Sequence, residues 1–204
     1  MKRFLLLLVF LSQLVFADDS YLIDDSLAMA RQGEFVRASN LIVDLANNGD
    51  STAQYVLSMY FRDPNALNIP EVGEMWLMRA AENNNAKAQY DLGWRLAAGW
   101  KNDTVEDIVE MIYWFERATF NGSDDAYANL ATLYENENRD VLAEMEVAAN
   151  DGNAMAQFNL GWINARGLVS SEGLMQDMDV AKAWFEESAK LGFKDAIEVL
   201  DKNF

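Results

Sequence analysis

The 204-residue chain has neither cysteine nor histidine. Without cysteine there is no disulfide framework, no thiol nucleophile and no thiolate metal site. Without histidine, Ser-His-Asp and Cys-His catalysis and most zinc chemistry are excluded. Proline is nearly missing as well: Pro64 and Pro70 are the only two, and both fall in one predicted loop. Elsewhere the pattern is helical, punctuated by Gly and Asn. Positive charge is scarce, with 16 Lys and Arg against 33 Asp and Glu, a net charge of −17. Nucleic acid and anionic membrane surfaces would both repel such a chain, and neither is an expected partner. The balance suits a basic partner, or else a uniformly solvated acidic surface with no steering role.

Long apolar runs are confined to the N-terminus. Lys2 and Arg3 precede an apolar stretch from Phe4 to Phe16, interrupted only by Ser12 and Gln13. Ala17 then stands before Asp18 and Asp19, which together reads as a secretory signal peptide over 1–17 cleaved after Ala17. Thirteen residues are too few to span a bilayer of about 30 Å, and no cysteine follows to carry a lipid anchor. The expectation is a soluble periplasmic or secreted protein of 187 residues with a net charge of −19. At that length a domain buries a sizeable core without covalent staples.

What the chain does contain is an internal repeat. Gly49, Asn84, Gly122, Gly152 and Gly192 are each followed four residues later by alanine, at Ala53, Ala88, Ala126, Ala156 and Ala196. Four residues on comes leucine, at Leu57, Leu92, Leu130, Leu160 and Leu200. Spacings of 35, 38, 30 and 40 residues, with two helical stretches per unit, predict an all-α fold, an α/α solenoid of stacked antiparallel helix pairs. The predicted units lie near 18–49, 50–84, 85–122, 123–152 and 153–192, with 193–204 as a C-terminal cap, all in one domain over 18–204. Residues 18–48 read as a less regular pair, Ser26–Gln32 and Glu34–Asn47 about Gly33. In the cap, Asp195, Glu198, Asp201 and Lys202 supply the polar outer side a terminal unit needs.

Within a unit, Ala156 and Leu160 share one helix face. Gly161, with Gly93 in the same place and Ser58 and Ala131 as small substitutes, lets a neighbouring helix approach closely. The second helix carries an anchor eight residues before the next Gly or Asn: Leu41, Trp76, Trp114 and Trp184, with Glu144 as the exception. Four residues past the anchor is a small side chain, at Ala80, Ala118, Ala148 and Ser188, with Leu45 breaking the rule. Large and small residues would interdigitate between helices. The unit near 123–152 is short, with Asn136-Glu137-Asn138 as a tight link, and a local irregularity is expected there.

The run Ala-Lys-Ala-Gln-Tyr-Asp-Leu-Gly-Trp from Ala86 to Trp94, with Gly99 beyond it, resembles the Sel1-like repeat, a relative of the tetratricopeptide repeat. So does Ala-Met-Ala-Gln-Phe-Asn-Leu-Gly-Trp from Ala154 to Trp162, with Gly167 and the stretch Asp179 to Gly192. The resemblance extends over about residues 34 to 200; Ser58 in place of glycine and Asn164 in place of an aromatic depart from it. It implies a right-handed superhelix whose first helices line a concave groove, and adaptor or regulatory roles in bacterial envelopes, host interaction or signalling. Cysteine-rich members are linked to β-lactam chemistry, but this chain lacks their cysteines.

Two rows flank the leucines of the first helices: Tyr55, Tyr90 and Phe158 before them, broken by Ala128, and Met59, Trp94 and Trp162 after them, broken by Thr132. Facing a groove, they would make rigid partner-binding anchors, with Asp91 and Asn159 adding polar contacts. Facing a neighbouring helix, they would be packing, the stronger reading for the Tyr/Phe row; for Trp94 and Trp162 both readings stand. Asp24-Asp25, Asp124-Asp125, and Asp177 with Asp179 could in principle do acid–base chemistry, but none sits in a motif, and helix capping or solvated surface is preferred. Asp177-Met-Asp179 and Asn150-Asp-Gly-Asn153 lack the twelve-residue loop of a calcium site. No catalytic residue, metal or cofactor is expected.

The leading functional reading is an adaptor that binds a protein or peptide, expected to be basic, in a concave groove. An inhibitor or immunity protein neutralising a toxic envelope enzyme is the alternative, and a carboxylate-dependent hydrolase is a third.

Overall fold

The computed structural model describes residues 19–98, 104–135, 140–167 and 176–204. The expected signal peptide, the link at 136–138 and Gly99 lie outside them. The described residues form eleven helices and no strand: α1 Ser20–Ala30, α2 Phe35–Asn47, α3 Ser51–Arg62, α4 Pro70–Glu82, α5 Ala86–Ala98, α6 Val105–Phe120, α7 Asp124–Tyr134, α8 Val141–Asn150, α9 Ala154–Arg166, α10 Met178–Lys190 and α11 Lys194–Asn203. The fold is all-α and built of helix pairs, as the repeat predicts. Among the described residues no helix is long and apolar enough to cross a membrane.

The repeated glycine is a helix stop fused to a helix start. Gly49, Asn84, Gly122, Gly152 and Gly192 all have positive φ, between 64° and 96°. That conformation is nearly free for glycine and tolerated by asparagine. Each donates its N–H to the carbonyl three residues back, as Gly152 does to Ala149, and the next residue donates to the carbonyl five back, as Asn153 does to Ala148. This is a Schellman stop. The small residues noted in the sequence (Ala80, Ala118, Ala148, Ser188) are the ones whose carbonyls accept that second bond.

The residue after the stop then caps the following helix. Asp50, Asn85, Ser123 and Asn153 accept from the N–H of Ala53, Ala88, Ala126 and Ala156 at 2.8, 3.1, 3.2 and 3.0 Å. An N-cap of this kind contributes about 1 kcal/mol. Phe193 holds the equivalent place before α11 and makes no side-chain cap. All five register alanines are fully buried. Leu57, Leu130 and Leu160 are buried with them, whereas Leu92 and Leu200 are only half-buried.

A buried glutamine bolts the junction in three places. Gln54, Gln89 and Gln157, each directly after a register alanine, donate Nε2 to the carbonyls of Ala46, Ala81 and Ala149, all at 2.8 Å. Tyr127 and Ile197 stand at the same position in α7 and α11 and are 43% and 42% exposed.

The helices group into two compact units, one ending at Arg79 and one running from Ala80 to Phe204. In the first, α1, α2 and α3 pack on one another around Ile42, Val56, Leu57 and Trp76. Ser26 is fully buried, donating to the Ala38 carbonyl at 2.9 Å and bonding the Tyr60 hydroxyl at 3.0 Å. The leading helix begins at Ser20 rather than Ser26, so the first pair is more regular than its sequence suggests. Ser58 replaces the close-approach glycine here, and the opposing helix supplies it instead: a Cβ on Gly73 would lie 3.1 Å from the Ser58 carbonyl oxygen.

In the second unit α5 packs on α6, α9 on α10, and α9 also on α6 and α8. Gly93 and Gly161 do what their position predicts. A Cβ would meet Phe115 Cδ1 at 2.7 Å from Gly93 and Phe185 Cδ1 at 2.5 Å from Gly161. The core runs through Ile108, Ile112, Phe115, Leu130, Met145 and Leu160. Asn159 is not a surface contact: it is fully buried, and its Nδ2 donates to the Val109 carbonyl at 2.9 Å, tying α9 to α6.

Candidate functional site: an aromatic cleft in the second unit

The helix packing α6–α9 and α10–α11 leaves a cleft of about 910 Å³ in the second unit. Its floor is aromatic. Tyr113 of α6 and Phe158 of α9 are buried, with ring centroids 5.9 Å apart, and Phe193 lies 5.8 Å from Tyr113 and 5.2 Å from Phe158. Its lip is formed by Phe120, 66% exposed at the end of α6, and half-buried Trp162, whose ring centroid is 5.1 Å away. Trp162 is braced from behind by Phe185 at 5.5 Å. An exposed phenylalanine tilted against a tryptophan with a fixed rear wall is a preordered apolar surface, the kind of surface aromatic anchors make at interfaces.

One wall is a closed polar knot. Arg117 donates through Nη1 to the Tyr113 hydroxyl at 2.6 Å and to Asp195 Oδ2 at 2.8 Å, and through Nη2 to Asn84 Oδ1 at 2.7 Å. The Tyr113 hydroxyl in turn donates to the same Asp195 oxygen at 2.8 Å. Burial pushes the Tyr113 phenol well above its ordinary range, against the pull of Arg117. The knot neutralises Arg117 and docks α11. Asp195, expected on the polar outer side of the cap, is therefore turned inward, because it supplies the counter-charge to a mostly buried guanidinium. The remaining charges at the rim, Glu82, Glu198, Lys194 and Lys202, balance in sign.

Of the sequence-derived anchors, Phe158 and Trp162 line this cleft. Tyr90, Asp91 and Trp94 belong to α5 and do not. Tyr90 is half-buried, packs 5.9 Å from Phe115 and accepts a long bond from Asn129 at 3.4 Å. Asp91 is half-buried and Trp94 is 49% exposed. Tyr55 and Met59 belong to α3 in the first unit, both half-buried, and Met59 packs on that unit's core. Reading only first-helix rows misses Tyr113, Phe120 and Phe193. Phe120 carries a usable signal: the last residue before the junction is polar in α2, α4, α8 and α10, as Asn47, Glu82, Asn150 and Lys190, and aromatic only here.

Of the carboxylates flagged for chemistry, Asp24, Asp25, Asp124, Asp125 and Asp179 are exposed. Asp177 caps α10, accepting from the N–H of Asp179 and Val180 at 3.1 and 2.9 Å. The buried carboxylate among the described residues, Glu116, is ion-paired with Arg166 and accepts from the Tyr134 hydroxyl at 3.3 Å. Among the described residues no cluster of three metal-ligating side chains occurs.

The Sel1 repeat family model matches residues 86–119 and 154–193, that is, the pairs α5–α6 and α9–α10. A Sel1 repeat protein from Oxalobacter formigenes is similar in structure, at 28% identity over 81% of this chain and 49% of that one, with a TM-score of 0.42. A protective antigen of uropathogenic Escherichia coli with an SLR fold is similar at 25% identity over 79% of this chain and 35% of that one, with a TM-score of 0.41. The chain thus spans about half, or less, of the solved proteins it resembles. No curated protein matches it in sequence.

Proposed function

From the premise that this chain carries Sel1 repeats, modules that generally serve as protein-interaction scaffolds, we propose that it is a non-catalytic, exported adaptor. It holds a protein or peptide partner in the aromatic cleft of its second unit. The observation that carries this is the Phe120–Trp162 lip over the Tyr113–Phe158–Phe193 floor: large aromatic area, fixed from behind, with its one buried cation already satisfied. Such a surface can bury an apolar partner segment with little loss of side-chain entropy.

The partner is basic by the long-range argument rather than by the cleft itself. The cleft's rim is balanced, while the whole sequence carries −17. Net charge would therefore speed encounter with a basic protein, and the aromatics would hold it. Export rests on residues 1–17 as a cleaved leader.

The test is capture from an envelope extract at low and moderate salt, with the native protein beside a Phe120→Ala, Trp162→Ala variant shown to be folded. The expected result is a basic protein retained by the native chain, less so as salt rises, and lost by the variant. Each removed anchor should cost on the order of 2 kcal/mol of affinity. Equal retention by both forms would remove the cleft from the function.

A further inference from the structure

The chain has two Asn-Gly steps, Asn48-Gly49 and Asn121-Gly122, and both fall on a junction between helix pairs. Such a step can react with itself. The glycine's amide nitrogen attacks the asparagine Cγ and forms a five-membered imide, and the side-chain nitrogen leaves as ammonia, taking the proton the attacking nitrogen gives up. Water then opens the ring at either carbonyl. One opening gives aspartate; the other gives isoaspartate, with the main chain rerouted through the side chain. Glycine hinders the attack least, because no Cβ stands beside the nitrogen.

The backbone holds the two steps alike. Asn48 and Asn121 have φ −82°, ψ 3° and φ −88°, ψ 14°. Gly49 and Gly122 both have positive φ, and their N–H groups donate to the carbonyls of Ala46 and Thr119 at 3.1 and 3.0 Å. Attack therefore needs the same local opening at both. The side chains differ. Asn121 is half-buried, and its Nδ2 donates to Gln89 Oε1 at 2.9 Å and to the Arg117 carbonyl at 3.0 Å. Asn48 is exposed, and its side chain makes no hydrogen bond among the described residues. We infer that Asn48 is a site of spontaneous modification, converting to isoaspartate and aspartate in the folded protein, while the bonds to Gln89 and Arg117 protect Asn121. Isoaspartate places one extra carbon in the main chain between α2 and α3. There the N–H groups of Gly49 and Asp50 reach back to Ala46 and Leu45 at 3.1 and 3.0 Å, and the Asp50 carboxylate caps α3 at Ala53. These bonds cannot all survive the added length, so the modified first unit is looser. The inference does not rest on the partner proposed above.

The test is to age the purified protein in mildly alkaline buffer, folded and in concentrated urea, and to follow both sites by mass spectrometry and enzymatic methylation of isoaspartate. Trypsin cuts after Arg37 and Arg62, and after Arg117 and Arg139, so the two sites fall on separate peptides. In the folded protein Asn48 should convert faster than Asn121 by about tenfold or more, the worth of two hydrogen bonds. In urea the two rates should converge. Equal conversion in the folded protein would overturn the proposal. So would a gap that persists undiminished in urea, because it would belong to the neighbouring sequence and not to the fold. Gln89→Met removes one of the two protecting bonds, and Asn121 should then convert faster; a folded variant with Asn121 unchanged would overturn the protection assigned to Gln89. The comparison within the native chain decides the main point even if that variant does not fold. Finally, Asn48→Asp adds the charge without the extra carbon. It should resist urea as the fresh protein does, whereas protein aged at Asn48 should unfold at lower urea. Equal resistance of the aged and fresh forms would overturn the loosening of the first unit.

Discussion

Gln157 shows how much of this molecule is decided by single polar atoms. Its Nε2 is used on the Ala149 carbonyl, but its Oε1 is buried with no hydrogen-bond partner among the described residues. In the α5–α6 pair the equivalent oxygen, on Gln89, accepts from Asn121 Nδ2 at 2.9 Å. Asn121 sits one residue before the junction glycine; Leu191 holds that place after α10, with nearly the same backbone (φ −88°, ψ 14° against φ −82°, ψ 1°). Leu191 is 55% exposed. Leu191→Asn should therefore supply the missing donor and stabilise the protein by about 1 kcal/mol, the usual net worth of one such bond. Urea unfolding would check it, and a variant no more stable than the native chain would show that the two pairs are not equivalent at this joint. None of this was legible in the sequence. The glutamines are not hydrophobic, so an apolar register passes over them, and their carbonyl partners lie eight residues back across a turn. Asp195 and Asn159 were misplaced for a related reason: their partners, Arg117 and Val109, are 78 and 50 residues away. Helix periodicity reports which face a residue occupies, not what polar group waits opposite.

At the scale of the helix, the contacts that could be anticipated are those where size alone decides. Gly93 and Gly161 stand out because a mid-helix glycine costs about 1 kcal/mol against alanine and so demands a reason, and the reason is the ring packed over each. Phe185 is 1% exposed and hemmed in by Phe158, Trp162 and Phe204. It cannot yield the room a methyl group needs. Gly161→Ala should accordingly destabilise by about 1–3 kcal/mol despite the better helix propensity, which is the usual cost of overpacking; a thermal melt showing a gain would mean that the ring moves freely. The same logic explains why the cleft itself was only half legible. Phe158 and Trp162 recur at fixed offsets and could be found by register, whereas Phe120 and Phe193 occupy junction positions that are polar or capping elsewhere. A site made by breaking the pattern is visible only after the pattern has been laid out.

For the molecule as a whole, buried phenols set the alkaline end of the pH range. Burial raises the hydroxyls of Tyr60, Tyr113 and Tyr134 above their ordinary value. An unfolded phenol ionises near about pH 10. Above that point the unfolded chain releases protons that the folded chain retains, so unfolding becomes progressively easier. The contribution of these three groups is complete below about pH 10 and declines as pH rises further. Absorbance of ionised tyrosine at alkaline pH, followed beside circular dichroism, should show these three phenols ionising together with loss of helix. Complete tyrosine ionisation while helicity persists would contradict it.

The joint between helix pairs has an implication for how such a chain tolerates change in length. Between the last residue of one pair and the first of the next there are always three residues: 48–50, 83–85, 121–123, 151–153 and 191–193. The spacing between successive registers nonetheless ranges from 30 to 40 residues, and much of that drift is absorbed inside the pairs, as in the 63–69 connection. The stop, the positive φ and the cap work as a frame that cannot slip. An added or lost residue there would turn the next helix by about 100° and expose its alanine face. The same change inside a pair leaves the following frame intact. Genetic insertions and deletions are thus filtered by position. A chain of this kind can remodel its pairs, as at Glu144, without disturbing the packing of those that come after.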